Sequence, residues 1–164
     1  FIRYPKGSIL QRNEIPSTPF SPLSAEMMLG DSDSPKYDIC LIGIGSMAWE
    51  AFDAAKSLEK KGLKICVVNL RCVKPLDIST LEPVLKKSQY ILVIEEGTSI
   101  SGSFSYIQKT FNHLNKATVQ WNSLGIPDKF FDHATPTSLK NACDLNSNGI
   151  TQLINSTITS VLTL

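Results

Sequence analysis

The chain has 164 residues, of which 42% are hydrophobic and 19% charged, with a formal net charge of +1. A domain near this size buries roughly 70% of its unfolded surface, and so balanced a charge gives no argument for a nucleic-acid or anionic-membrane partner, and neither is expected. No apolar run approaches the ~20 residues that cross a bilayer.

In chain order, Phe1-Ile2-Arg3-Tyr4 alternates as a strand, and Pro5 keeps Tyr4 extended. Lys6-Gly7 then turns the chain, so Arg3 and Lys6 flank a rigid strand-to-loop exit suited to an anion. A solvated basic loop is the plainer reading of the same residues. The chain opens on Phe1 without a Met, partway through this strand, so a fragment is expected. Residues 8–36 carry Pro16, Pro19, Pro22, Pro35 and many serines and read as a linker. Within it, Glu26–Gly30 is a candidate edge strand, and Asp31–Lys36 leads into the first core strand.

The stretch from Tyr37 to Asp77 organises the remainder. Ile39–Ile42 and Ile65–Leu70 are short apolar runs rich in β-branched residues, the pattern of strands buried on both faces. Between them Met47, Ala51, Ala54, Ala55 and Leu58 recur at helical spacing, with Glu50, Asp53, Ser57 and Lys60 opposite. Gly62 suits the helix C-terminus. Strand, helix, strand at this length makes a right-handed βαβ unit. Asp77 or Ser79 can cap the next helix, with Ser79 and Glu82 at capping-box spacing. Tyr90–Glu95 reads as a strand, Phe104–Leu114 as a helix and Ala117–Trp121 as a strand. Gly125–Asp128 reads as a turn before the aromatic segment Lys129–His133. Thr135 and Pro136 start a helix through Ala142, and Gly149–Leu164 has the spacing of a closing amphipathic helix.

Several constellations carry potential chemistry. Gly43-Ile44-Gly45-Ser46-Met47-Ala48 follows a strand, opens a helix and formally matches GxGxxA, the turn that brings backbone amides to a pyrophosphate. The acid expected after the second strand is missing. Asn69, Leu70 and Arg71 stand there, and Arg71 leaves an NADP-type ribose phosphate open. Tight strand-to-helix packing is the plainer explanation of the glycines. The carboxyl ends of the strands also carry Glu95-Glu96, readable as an acid–base pair, or as one helix cap and one partner for a lysine or Arg71. His113 and His133 lack metal-ligand spacing. Cys40, Cys66, Cys72 and Cys143 lack a CxxC spacing and read as thiols of a reducing, intracellular compartment. Trp49, Phe52 and Lys56 share one flank of the first helix, a surface for the chain's own loops or for a partner chain.

Taken together, Arg3-Tyr4-Pro5-Lys6-Gly7, Gly43-Ile44-Gly45-Ser46, Val68-Asn69-Leu70-Arg71, Lys74-Pro75-Leu76-Asp77, Glu95-Glu96-Gly97 and Gly125-Ile126-Pro127-Asp128 resemble one family. It is 1-deoxy-D-xylulose-5-phosphate synthase, specifically its C-terminal transketolase-like domain. The family usually has arginine at position 6, phenylalanine at position 72 and two glycines where Ser101-Gly102 stand. The resemblance implies an α/β, three-layer fold with a mainly parallel five-stranded sheet and one antiparallel edge strand over residues 37–164. Residues 1–7 would be the last strand of the preceding pyrimidine-binding domain and 8–36 the linker. It further implies a synthase that joins pyruvate to glyceraldehyde 3-phosphate using thiamine diphosphate and magnesium, both held by upstream domains of the same chain and not by this piece. The enzyme would be a homodimer, in bacterial cytoplasm or a plastid-like organelle. Arg3 would anchor the aldehyde's phosphate, with Lys6 as an accessory charge. Two further readings rest on the residues alone: an NADP-binding oxidoreductase domain and a noncatalytic interaction module.

Overall fold

The structure, a computed structural model, describes Arg12 and residues 21–31, 33–114 and 119–161, the last four of these by backbone alone. The expected strand at Phe1–Tyr4, with Arg3 and Lys6, lies outside the described residues. The elements run β1 (Glu26–Leu29), β2 (Tyr37–Gly43), α1 (Met47–Glu59), β3 (Ile65–Asn69), α2 (Ile78–Lys86), β4 (Ser88–Thr98), α3 (Phe104–Thr110), β5 (Gln120–Ile126), α4 (Pro136–Ala142) and α5 (Ser147–Val161). They form one five-stranded sheet in the order β1-β3-β2-β4-β5. Only β1 is antiparallel to its neighbour, and the other pairings are parallel. The α/β architecture with one antiparallel edge strand is therefore as the sequence implied.

The three layers follow from the pleat of the central strands. Ile39 and Leu41 of β2 point to one core with α1 and α5, through Met47, Ala51, Leu58, Ile150 and Ile154. Cys40 and Ile42 point to the other, with Leu81, Leu85, Ile107 and Phe111 of α2 and its neighbours. Both faces are covered, which is why β2, β3 and β4 read as continuous apolar runs. Helix α1 presents Ala48, Ala51, Ala54 and Ala55 to the sheet, all 1% exposed or less. Such small side chains let it lie close to the strands. Gly62, at φ +87°, ends the turn after α1 as expected.

The main differences from the sequence reading fall on three elements and one helix cap. Strand β4 extends two residues before Tyr90 and three beyond Glu95. Strand β5 spans Gln120–Ile126; the expected start at Ala117 lies outside the described residues, and the strand runs through Gly125 and Ile126, which were expected to turn. Its middle, Asn122-Ser123, is half-buried on a sheet edge, so it carries no apolar run for the periodicity to detect. Helix α3 stops at Thr110, and Asn112–Leu114 form a 3-10 turn. The capping box at Ser79 and Glu82 does not form. Asp77 caps α2 by accepting from the Thr80 amide, and the Ser79 hydroxyl donates to the same carboxylate. Thr135 caps α4 as expected, accepting from the Ser138 amide.

Candidate functional site

Open α/β sheets bind ligands outside the carboxyl ends of their strands, where successive crossovers depart in opposite directions. Here that place lies between β2 and β4, because the chain leaves β2 toward β3 and reaches β4 on the other side. The GxGxxA turn sits there. A Cβ on Gly43 would lie 2.6 Å from the Ala48 nitrogen and 2.9 Å from the Met47 carbonyl carbon. The backbone of the first turn of α1 thus rests directly on Gly43, the packing role that the spacing also allowed. Gly45, at φ +62°, has open space where a Cβ would point and serves the turn itself.

Beside that turn, three side chains close a ring. The Ser46 hydroxyl donates to Glu96 Oε1 at 3.0 Å, and Lys140 Nζ donates to Ser46 Oγ at 2.9 Å. Lys140 also pairs with Glu96 Oε1 at 2.8 Å. Ser46 precedes α1 without capping it, so the carboxylate it holds occupies the neighbourhood that favours an anion. Of the two expected roles for Glu95-Glu96, pairing with a lysine is realised by Glu96. Glu95 lodges its carboxylate between two glycines instead of capping α3. Its Oε2 lies 2.7 Å from where a Cβ on Gly97 would sit, and its Cδ lies 2.7 Å from the same position on Gly102.

Arg71 pairs with Glu26 of the antiparallel edge strand at 2.7 Å, and both side chains are 14% exposed. Asn69 Nδ2 donates to the same carboxylate at 3.3 Å. The arginine at the end of β3, which an NADP ribose phosphate would need, is thereby engaged from within the chain. His113 faces Glu82 at 3.3 Å, and Lys86 meets the same oxygen at 2.6 Å. Hydrogen bonds from Lys86 and then His113 hold the Glu82 carboxyl below its ordinary range. His133 is exposed in the loop after β5. Cys40 and Cys66 are register partners on β2 and β3 and fully buried. A hydrogen bond with Cys66, then burial, pushes the Cys40 thiol well above its ordinary range.

The flank of α1 at Trp49 and Phe52 is covered from within the chain. Their rings meet edge to face at 5.8 Å, and the Arg12 guanidinium lies 5.0 Å from the Trp49 ring centroid. Sequence reasoning missed Lys140, Glu26, Arg12 and Asp53 as partners. Each is 41 to 94 positions from the residue it holds, beyond any local spacing signal.

The layout is that of a doubly wound α/β domain whose carboxyl rim is cross-linked by its own charges. Residues 30–150 match the family described as transketolase, C-terminal domain, and the chain belongs to that family. Among similar proteins, the 1-deoxy-D-xylulose-5-phosphate synthase of Rippkaea orientalis is 30% identical over 93% of this chain and 23% of its own length. That of Prochlorococcus marinus is 36% identical over 66% of this chain and 17% of its own length. The chain thus spans about a quarter or less of the curated relatives it matches. The resemblance to the C-terminal domain of the synthase, read from the motifs, is borne out. Among solved structures, a split-gene transketolase described as an inactive beta4 tetramer matches with a TM-score of 0.72 at 22% identity, over 92% of this chain and 47% of that one. Transketolase from Campylobacter jejuni matches with a TM-score of 0.62 at 18% identity, over 87% of this chain and 20% of that one. Both agree on the fold.

Thiamine diphosphate with its magnesium asks for converging acidic and amide donors. Among the described residues no three His, Cys, Asp or Glu side chains converge on a metal position. Glu96 and Glu26 each already hold a cation of this chain. The described residues thus present no preformed set of magnesium ligands. Among them, too, no helix is long and apolar enough to cross a membrane.

Proposed function

We infer that this chain is the C-terminal part of a thiamine-diphosphate-dependent transferase that joins pyruvate to glyceraldehyde 3-phosphate. The products are 1-deoxyxylulose 5-phosphate, an isoprenoid precursor, and carbon dioxide. The observation that carries this reading is the alignment of synthase relatives along nearly the whole chain, and the RYPKG and GIPDKFFDHA segments support it. In this reading the cofactor and magnesium belong to preceding domains of the same polypeptide. The present domain supports a homodimer and frames the entrance, and alone it is inactive. The enzyme works in bacterial cytoplasm or a plastid-like organelle.

Within the chain, Arg3 is the group that would touch substrate, as the anchor of the aldehyde's phosphate. Lys6 is a diffuse accessory charge, since an ammonium lacks the bidentate fork of a guanidinium. A carboligation needs its acceptor held close to the reacting carbon, and a remote phosphate supplies binding energy for that positioning. A hydrogen bond to a charged group is worth roughly 1.5–3 kcal/mol, so Arg3→Ala should cost about ten- to a hundred-fold in use of the phosphorylated aldehyde. Steady-state kinetics of the full-length enzyme, varying each substrate in turn, test this. The Michaelis constant for the aldehyde phosphate should rise with that for pyruvate little changed, and equal rises would count against the anchor.

A further inference from the structure

We propose that the carboxyl rim of the sheet is a docking surface, and that the partner seated on it is the preceding, cofactor-holding region of the polypeptide. The rim differs from the rest of the surface in the side chains it leaves in water. Among the described residues the exposed large apolar side chains are Leu23, Ile78, Ile100, Tyr106 and Phe130. Ile100 follows β4, Phe130 follows β5, and Tyr106 lies in the first turn of α3. Ile78 opens α2, and Leu23 precedes β1, whose first residue, Glu26, pairs with Asn69 at the carboxyl end of β3. All of them therefore stand at one end of the strands. Phe130 is fully open to solvent, at 105%, and Ile100 is 68% exposed.

The opposite end of the sheet is different in kind. Lys36, Lys60, Lys61 and Lys64 are exposed at the amino ends of the strands, together with Asp31 and Asp33, and such an end is at home in solvent. At the rim the charges nearest the strands are already neutralised, Glu96 by Lys140 and Glu26 by Arg71. A partner covering that end gains apolar contact and leaves neither carboxylate without its cation.

Size and connection decide between partners. Five strands about 4.8 Å apart make the rim about 20 Å wide. The exposed apolar groups sit at both of its ends, Leu23 and Ile78 beside β1, Ile100 and Phe130 beside β4 and β5. Backbone contacts fix these ends: the Ala25 amide donates to Asp77 at 3.0 Å, and the Ser99 amide to the Ile126 carbonyl at 2.9 Å. A single extended segment would cover one end, whereas a folded partner can cover both. Interfaces between domains of one chain, at about 600–1,500 Å², have that reach. The chain comes to β1 at this same rim, through Leu23 and Ala25, so what precedes is tethered there. The relatives supply the bulk, since this chain spans 23% of one synthase and 17% of the other. Which face meets the remainder is new; that there is a remainder rests on the reading of the chain as the C-terminal part of such an enzyme.

Thiol labelling of the full-length protein tests this. Single substitutions Phe130→Cys, Ile100→Cys and Ile78→Cys sample the rim, and Lys60→Cys and Lys64→Cys the opposite end. All of these positions are exposed in the domain, so its own core is untouched. Native maleimide labelling, followed peptide by peptide by mass spectrometry, should be about ten-fold or more slower at the rim, because a covered thiol reacts only in the molecules that open. Photo-cross-linking with p-benzoylphenylalanine in place of Phe130 identifies the partner, and its products should join position 130 to the region preceding Phe1. Equal labelling at both ends would overturn the docking surface. A cross-link between residues 21–161 of two copies would make the partner a second copy and overturn the assignment. A full-length protein without synthase activity would sink the functional reading, while labelling and cross-linking would still decide the surface.

Discussion

Gly43→Ala should be among the most damaging single-methyl additions available in this chain. The added Cβ would meet the Ala48 nitrogen at 2.6 Å and the Met47 carbonyl carbon at 2.9 Å, where ordinary contact begins at 3.4 Å. Both neighbours are backbone, so no rotamer change relieves the overlap. Helix α1 must instead back away by a large fraction of an ångström. Gaps of 0.5–1 Å forfeit roughly a quarter to a half of the dispersion attraction at each contact. The side chains that would lose it, Met47, Ala51, Ala54, Ala55 and Leu58, are all fully buried. Overpacking of a tight core costs typically 1–3 kcal/mol and occasionally more, and a clash on backbone belongs at the upper end, at about 3 kcal/mol. With a urea slope of about 2 kcal/mol per molar, the unfolding midpoint should fall by about 1.5 M. Gly45→Ala provides the control. No atom lies within 4 Å of a Cβ there, and the residue only holds φ +62°, a left-handed strain of about 1–2 kcal/mol. Urea unfolding followed by tryptophan fluorescence would compare the two. A Gly43→Ala chain as stable as Gly45→Ala would refute the packing account and return the GxGxxA turn to the phosphate reading.

Two further substitutions probe the charges around the sheet. Burial works to raise the Asp77 carboxyl, but bonds from the Ser79 hydroxyl and the Thr80 and Ala25 amides outweigh it and bring its pKa to about 2 from 3.8. A depressed folded value means stability that is fully present above pH 4 and lost as the pH falls toward 2. Asp77→Ala should remove that acid-limb dependence and cost about 1–2 kcal/mol at neutral pH through the lost cap, read from urea midpoints across pH 2–7. Arg71→Ala leaves the Glu26 carboxylate, 14% exposed, without its cation and should cost about 2–3 kcal/mol. Arg71→Ala with Glu26→Ala should cost less than the sum of the single changes in the same assay, and strict additivity would show that the two side chains are independent.

The parts of the fold that the sequence made legible are those in which a local pattern has one physical cause. Ile39–Ile42 and Ile65–Val68 could only be strands covered on both faces, and the alanine-rich stripe from Ala48 to Ala55 could only be a helix pressed on a sheet. Thr135-Pro136 announced α4 because cap and first-turn proline act within four residues. Strand β5 was expected but cut short at Trp121, because a half-solvated edge has no reason to be apolar and its pairing depends on β4, about 30 residues earlier. The two ends of Phe104–Leu114 were misjoined because Phe111, fully buried, continues the apolar spacing after the helix has ended. The rim was the least legible region. Glu96 finds Lys140 and Arg71 finds Glu26 only through the sheet order, which no spacing rule encodes.

That rim also bears on what a domain of this family can offer here. An anion at the amino end of α1 would compete with the Glu96 carboxylate, already bonded to Ser46 and Lys140. Admitting it means bringing two negative charges together or breaking the Lys140 pair, and either cost must be set against a helix-terminus attraction of only about 0.3–1 kcal/mol. At the next strand end, Arg71 would have to abandon Glu26 in a half-buried setting, where an uncompensated carboxylate is more costly still. The places where a doubly wound sheet ordinarily meets ligands are thus occupied by charges of this chain.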